Sequence, residues 1–210
     1  MGWSRRERIF RRIYRENAWG GSESRSGPGS SEERTRGLRP RLTQLVRELG
    51  VRSLLDIPCG DFHWMRLTEL PGVEYIGADL LRELVEGLAA HARAGRRFLR
   101  LDLLRDPLPK VDLVLCRDAL VHFSFADSAR ALRRLRQSGS TYLLTTTFPA
   151  QAGNRDIVTG DWRPLNLALP PFRFPAALQL LPDPPGAGSA YADKSLGLYR
   201  LADLPGLDGK

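Results

Sequence analysis

"SLLDIPCGDFHWM", residues 53–65, is an apolar run that ends in an acid and breaks into a Pro-Cys-Gly-Asp turn. A buried strand followed by a turn accounts for it. So does a nucleotide-binding loop, but one short of the glycines such loops carry. The flanking sequence narrows the choice. Strands are expected at 52–57, 73–79, 97–104, 111–116 and 140–148. Between them fall a short helix within 62–70, a helix over 80–95 closing on Gly95, a Pro-containing connection at 105–110 and a helix over 126–139. Strands that are apolar throughout and alternate with helices predict a parallel sheet covered on both faces. Two later runs, 176–183 and 195–204, read as a hairpin closing the sheet edge. The expected fold is therefore α/β: a doubly wound, mostly parallel seven-stranded sheet ending in a C-terminal antiparallel hairpin. Ligands of such sheets bind beyond the strands' carboxyl ends, where strand order reverses.

The acids fall at those ends. Asp56 closes the first strand, Asp79 the second and Asp102 the third, while Asp118 follows the fourth. Several carboxylates should then rim one crevice. Asp79 lies 23 residues beyond Asp56, near the roughly 20-residue interval at which an acid accepts hydrogen bonds from ribose hydroxyls. Strand-end aspartates are also common turn formers and helix caps, so the set carries the argument, not any one member.

These residues resemble the class I S-adenosylmethionine-dependent methyltransferases. "LLDIPCGDF" is similar to their first motif, with Gly60 at the central glycine and Pro58 and Phe62 where glycine is frequent. The resemblance covers residues 40–150 best and implies a Rossmann-like domain with S-adenosylmethionine as cofactor. It places Asp56, with Asp61 as a second candidate, near the methionine amino group, and Asp79 on the ribose with Leu80 against the adenine. Asp102 would hold the adenine amino group beside Leu103. Arg117, in "DLVLCRDALVHF", would lie by the methionine moiety. Cys59 is read as a small buried neighbour of the cofactor.

Asp118 and His122 are four residues apart and face the same way on a helical turn. They are the candidate catalytic pair: His122 as a base, since an ordinary imidazole titrates near pH ~6.5, and Asp118 as an acceptor orienting the substrate. Cys59, His63, Cys116 and His122 match no zinc-ligand spacing, so no metal is expected.

The remaining segments frame this core. Residues 5–16 form an expected amphipathic helix with Ile9, Phe10, Ile13 and Tyr14 on one face. A Gly/Ser loop follows, in which Ser30 and Glu33 have capping-box spacing. A second helix follows, which Pro40 should break or restart, after which Leu42, Leu45, Val46 and Leu49 give helical spacing and Gly50 supplies the stop. Residues 1–39 are assigned as a helical arm and loop over the cofactor site, with Trp19 and Ser26 as candidate contacts, and residues 40–210 as the Rossmann-like domain. Residues 148–175 form a long loop on the substrate side, where Trp162, Arg163 and Asn166 are candidate acceptor contacts.

Net charge is +8, but only three of the 32 basic residues are lysines (Lys110, Lys194 and Lys210) and the arginines are scattered. This argues against nucleic acid as the main partner. No window offers the ~20 apolar residues of a membrane span. The lack of an apolar signal segment and of a disulfide framework suits the cytoplasm, with an arginine-rich organellar leader left open. The function expected is methyl transfer to an oxygen or nitrogen of a small molecule. The alternatives are a non-catalytic basic module that binds nucleic acid on the same fold, and an NAD-dependent oxidoreductase, whose G-x-G-x-x-G turn "DIPCGDF" lacks. The acceptor and the oligomeric state are not legible.

Overall fold

The computed structural model describes residues 4–184 and 190–206. Seven strands make one sheet: β1 (Ser53–Asp56), β2 (Glu74–Asp79), β3 (Arg96–Arg100), β4 (Leu113–Cys116), β5 (Tyr142–Thr147), β6 (Gln179–Pro182) and β7 (Ser195–Arg200). Their order is β3-β2-β1-β4-β5-β7-β6. The first five are parallel, and β7 inserts antiparallel between β5 and β6. The chain runs outward from β1 through β2 to β3, then crosses back to β4 on the other side of β1. Strand order therefore reverses between β1 and β4, and a crevice opens beyond their carboxyl ends.

Each face of the sheet is covered by apolar side chains. On one, α3 (Leu38–Glu48) buries Leu38, Leu42, Leu45 and Val46 against Leu54, Leu113, Leu115, Leu144 and Leu196. On the other, α5 (Phe125–Gln137) buries Ala131, Leu132 and Leu135 beside Leu55, Val114 and Leu143. The long segment after β5 contributes Leu165, Leu167, Phe172 and Phe174 to that same face. Fully burying one such aliphatic side chain is worth about 1.5–3 kcal/mol. Neither the β3–β4 nor the β5–β6 connection carries an α-helix, so packed loop takes the place of the helices a fully doubly wound fold would have.

Helix α1 (Arg5–Arg15) is capped by Ser4, whose Oγ accepts from the Glu7 amide at 3.1 Å. It lies across the carboxyl edge of the sheet. Glu7 pairs with Arg100 at 3.2 Å, Arg11 with Glu83 at 2.6 Å, and Arg6 with Asp102. Its apolar face meets the segment after β5 at Gly160, where a Cβ would sit 2.5 Å from Ile9 Cγ2.

Several local expectations are corrected. The helix expected over 80–95 is only α4 (Arg82–Gly87) and a single turn at Ala89–His91, because Gly87 sits where continuation is costly and Arg93 pairs back with Arg96 in a turn. Within 62–70 only Met65–Leu67 coils, as a 3₁₀ turn. The cap near residue 30 is Ser31, which accepts from the Arg34 amide at the start of α2 (Glu32–Thr35), one residue beyond the expected box. Pro40 does not interrupt α3: it lies in the first turn, where its missing N–H has no intrahelical partner to lose. β3 ends at Arg100, so Asp102 stands two residues past it.

Candidate active site

The turn after β1 keeps the sheet's hydrogen bonding for three more residues. The Ile57 amide donates to Leu115 O on β4 and the Cys59 amide to Ala78 O on β2. The Ile57–Pro58 bond is cis. Gly60 has φ 54°, and a Cβ there would lie 2.2 Å from Ser26 Oγ. Glycine is thus required for its backbone angle and because the loop at 24–30 is pressed against it.

Above this turn lies a cavity of about 140 Å³. Its floor is the strand-end set: Asp56, Cys59, Gly60, Asp79, Leu80, Asp102, Leu103, Arg117, Asp118 and His122 all line it. Its roof is the chain from α1 to residue 30, through Arg6, Phe10, Tyr14, Trp19, Ser26 and Ser30. Of the candidate cofactor residues Asp61 alone is absent. Its carboxylate instead accepts from Ser24 Oγ (2.8 and 2.9 Å), the Arg25 amide (2.9 Å) and Ser26 Oγ (3.2 Å), tying the roof down.

Two cations, Arg6 and Arg117, line the cavity, but neither forms an ion pair with Asp56 or Asp79. Asp56 is 3% exposed and accepts from the Tyr75 hydroxyl at 2.7 Å. Burial outweighs that hydrogen bond and pushes its carboxyl up to about 7. Asp79, 8% exposed, accepts from the Leu81 amide at 3.1 Å and the Gly60 amide at 3.3 Å, yet burial raises it to about 6. Asp102 accepts from the Leu104 amide and from Arg6.

The fourth strand end is different. Asp118 adopts φ 52°, a left-handed conformation uncommon for a residue with a side chain. Its amide donates to Thr146 Oγ1 at 2.8 Å, and its carboxylate takes Lys194 Nζ at 2.8 Å. Although burial opposes ionisation, Lys194 and Arg117 hold this carboxyl well below the usual range. Asp118 is a fixed anion, so it can orient a partner but cannot carry a proton near neutrality. Arg117 lies over the Trp64 ring, 5.2 Å from its centroid, and donates to Asp183 and Gly29 O.

His122 can carry a proton. Its Nδ1 is 2.9 Å from Asp161 O; a carbonyl only accepts, so Nδ1 bears the hydrogen and Nε2 keeps its lone pair. The ring lies against Trp19, centroids 4.9 Å apart, and burial lowers its pKa, leaving the imidazole neutral at pH ~7.

Three candidate acceptor contacts do not line this cavity. Arg163 is fully buried and spends its guanidinium on Leu120 O, Phe123 O and Arg155 O. Asn166 bridges Pro149 O and Gln151 O. Trp162 stands half exposed against Phe148 and Tyr191. All three fold the segment after β5. Both cysteines are buried, and burial raises their thiols, Cys116 to about 12.

Sequence reasoning missed Tyr75, Lys194 and Asp183. For Tyr75 the only signal was a polar hydroxyl inside an otherwise apolar strand. Lys194 could have been noticed as one of three lysines.

No protein-family model and no curated protein sequence matches the chain. Solved structures do. Burkholderia thailandensis 1,6-didemethyltoxoflavin-N1-methyltransferase, crystallised with S-adenosylhomocysteine, aligns at a TM-score of 0.65 over 95% of this chain and 92% of that one, at 15% identity. Human N-acetylserotonin methyltransferase, in complex with S-adenosylmethionine, gives 0.54 over 94% of this chain and 60% of that one, at 18% identity. Magnesium protoporphyrin IX methyltransferase from Synechocystis, also with bound S-adenosylmethionine, gives 0.51 over 74% and 82%, at 16%. Two other matched structures align over only about half of either chain, 55% and 50% of this one and 48% and 49% of theirs. At these identities the likeness is one of fold: the chain has the class I methyltransferase fold. Among the described residues no helix is long and apolar enough to cross a membrane.

Proposed function

We propose that the protein is an S-adenosylmethionine-dependent methyltransferase acting on an oxygen or nitrogen of a small molecule. The carrying observation is a pair of buried carboxylates, Asp56 and Asp79, joined by the partly buried Asp102 around one roofed cavity at the sheet's reversal point. A carboxylate whose pKa burial has raised is a site awaiting a cation or hydrogen-bond donors, and this cofactor brings both. The residues fit it. Asp79 would take the ribose hydroxyls, Leu80 and Leu103 the adenine faces, Asp102 the adenine amino group, Asp56 the ammonium and Arg117 the carboxylate.

When bound, the cofactor supplies an activated methyl group on a sulfonium. The protein's part is to align the acceptor, exclude water and remove a proton. The roof performs the exclusion. For a hydroxyl acceptor, His122 Nε2 would take the proton that the acceptor oxygen gives up. Asp118, pinned as an anion, orients the acceptor. An amine can attack through its own lone pair, and there His122 matters less.

Calorimetric titration with S-adenosylmethionine and with NAD, on wild type and Asp79→Ala, tests this reading. Binding of the first ligand alone, lost in the variant, is the expected result. Equal binding of NAD, or an unchanged Asp79→Ala, would overturn it.

A further inference from the structure

Behind the cavity the charge is organised more closely than cofactor binding by Arg117 alone would require. Arg117 and Asp118 follow β4, Asp183 follows β6 and Lys194 precedes β7. Asp183 is 3% exposed and Lys194 8%. Lys194 Nζ lies 2.8 Å from Asp118 Oδ2 and 3.0 Å from Asp183 Oδ2. Asp183 in turn holds Arg117 through Nε at 2.9 Å and Nη2 at 3.1 Å. The Asp183 amide donates to Lys194 O at 2.9 Å, closing the strand pair just where these side chains leave it. Two cations and two anions therefore form a neutral quartet across three strands. Arg117 Nη1, whose nearest carboxylate is Asp118 at 3.5 Å, is the nitrogen left to meet a ligand.

The residue type at 194 is informative. Arginine supplies all but three of the 32 basic residues, yet this buried position holds lysine. A compact ammonium can sit at a single point between two carboxylates, whereas a planar guanidinium needs each acceptor in its fork. Removing it would leave the buried Asp183 and the partly buried Asp118 as like charges lacking their shared cation, and Arg117 would be drawn toward whichever remained ionised.

We propose that Lys194 is a positioning residue for the cofactor's amino-acid end: by bridging Asp118 and Asp183 it holds Arg117 on the cavity, so that the β6–β7 pair sets the affinity for an α-amino carboxylate. This rests on the proposed S-adenosylmethionine site. It separates the two ends of that site, since Asp79 and Asp102 have no contact with the quartet.

The test compares S-adenosylhomocysteine with 5′-methylthioadenosine, which keeps the nucleoside and sulfur but has neither ammonium nor carboxylate. Both are titrated into wild type, K194M and D183N, and the Arg117 Nε–H resonance is followed in the free proteins. K194M weakens S-adenosylhomocysteine about tenfold and leaves 5′-methylthioadenosine unchanged, while the Arg117 resonance shifts. D183N is nearly isosteric and gives the same selective loss should K194M fold poorly. Parallel loss of both ligands, or no loss of either, would refute the proposal, as would an unmoved Arg117 resonance. If wild type binds neither ligand, the cofactor reading fails and the amino-acid role with it; the Arg117 resonance then still decides whether Lys194 positions Arg117.

Discussion

Acidifying the protein should weaken S-adenosylmethionine binding, and the site fixes by how much. In the free protein Asp56 ionises at about 7 and Asp79 at about 6, both raised by burial, which for Asp56 outweighs the Tyr75 hydrogen bond and the Arg117 charge. A bound ammonium at Asp56 and ribose hydroxyl donors at Asp79 would stabilise their anions, so ligand binding below those values must first expel a proton. For a single carboxyl at about 7 that must be ionised in the complex, going from pH ~7.5 to ~5.5 weakens binding about 25-fold; a carboxyl at about 6 adds about fourfold. Calorimetry at four pH values gives the profile, and repeating one titration in buffers of different ionisation enthalpy counts the protons released. Asp56→Asn should bind weakly throughout and keep only the shallow, roughly fourfold slope of Asp79. A flat wild-type profile, tighter binding in acid, or an Asp56→Asn variant with the full slope would refute the reasoning. The same carboxyls set the ligand-free stability. Their folded values lie above the unfolded value of about 3.9, so the folded state holds more protons between pH ~4 and ~7, and its stability falls as pH rises through that window.

Gly60→Ala places a methyl 2.2 Å from Ser26 Oγ at a left-handed backbone angle; a loss of about 1–3 kcal/mol in denaturant unfolding is expected, and adding Ser26→Ala should restore only the steric part. His122→Gln should lower kcat for a hydroxyl acceptor by about 10²–10⁴ while cofactor affinity, measured by titration, stays the same. Arg6→Ala removes the partner of Asp102, so amide exchange in α1 should quicken by at least about fivefold, as expected for loss of a partly buried ion pair; unchanged protection would mean that the apolar face alone holds the helix.

Legibility followed the range of the interactions. Asp56 and Asp79 could be placed because each ends a largely apolar strand, and Asp102 because it closely follows the strand-forming run at 97–101, patterns contained within a few positions. The closing strand pair was legible for the same reason. Asp61 was misplaced because its partners, Ser24 and Ser26, lie 35–37 residues earlier in a loop without periodicity. Arg163 looked like a ligand for an acidic group until its guanidinium was found saturated by backbone carbonyls. The helix over 80–95 was overextended because leucines at helical spacing outweighed Gly87. The quartet could not be read at all, since residues 117, 118, 183 and 194 meet only through the sheet order.

The roof has a consequence for how the molecule assembles. Three of its ion pairs span 72 to 96 residues of chain: Arg11 to Glu83, Glu7 to Arg100 and Arg6 to Asp102. Loops of that size close late, after the nearer strand pairings have formed. Although residues 4–30 leave the ribosome before the sheet exists, their docking surface is finished only when β3, the turn at His122 and the segment at Gly160 are in place. Collapse of the core and enclosure of the cavity are thus separate events in time. A chain caught between them would already have its sheet while its carboxylates still faced open water, their pKa values close to those of free aspartate.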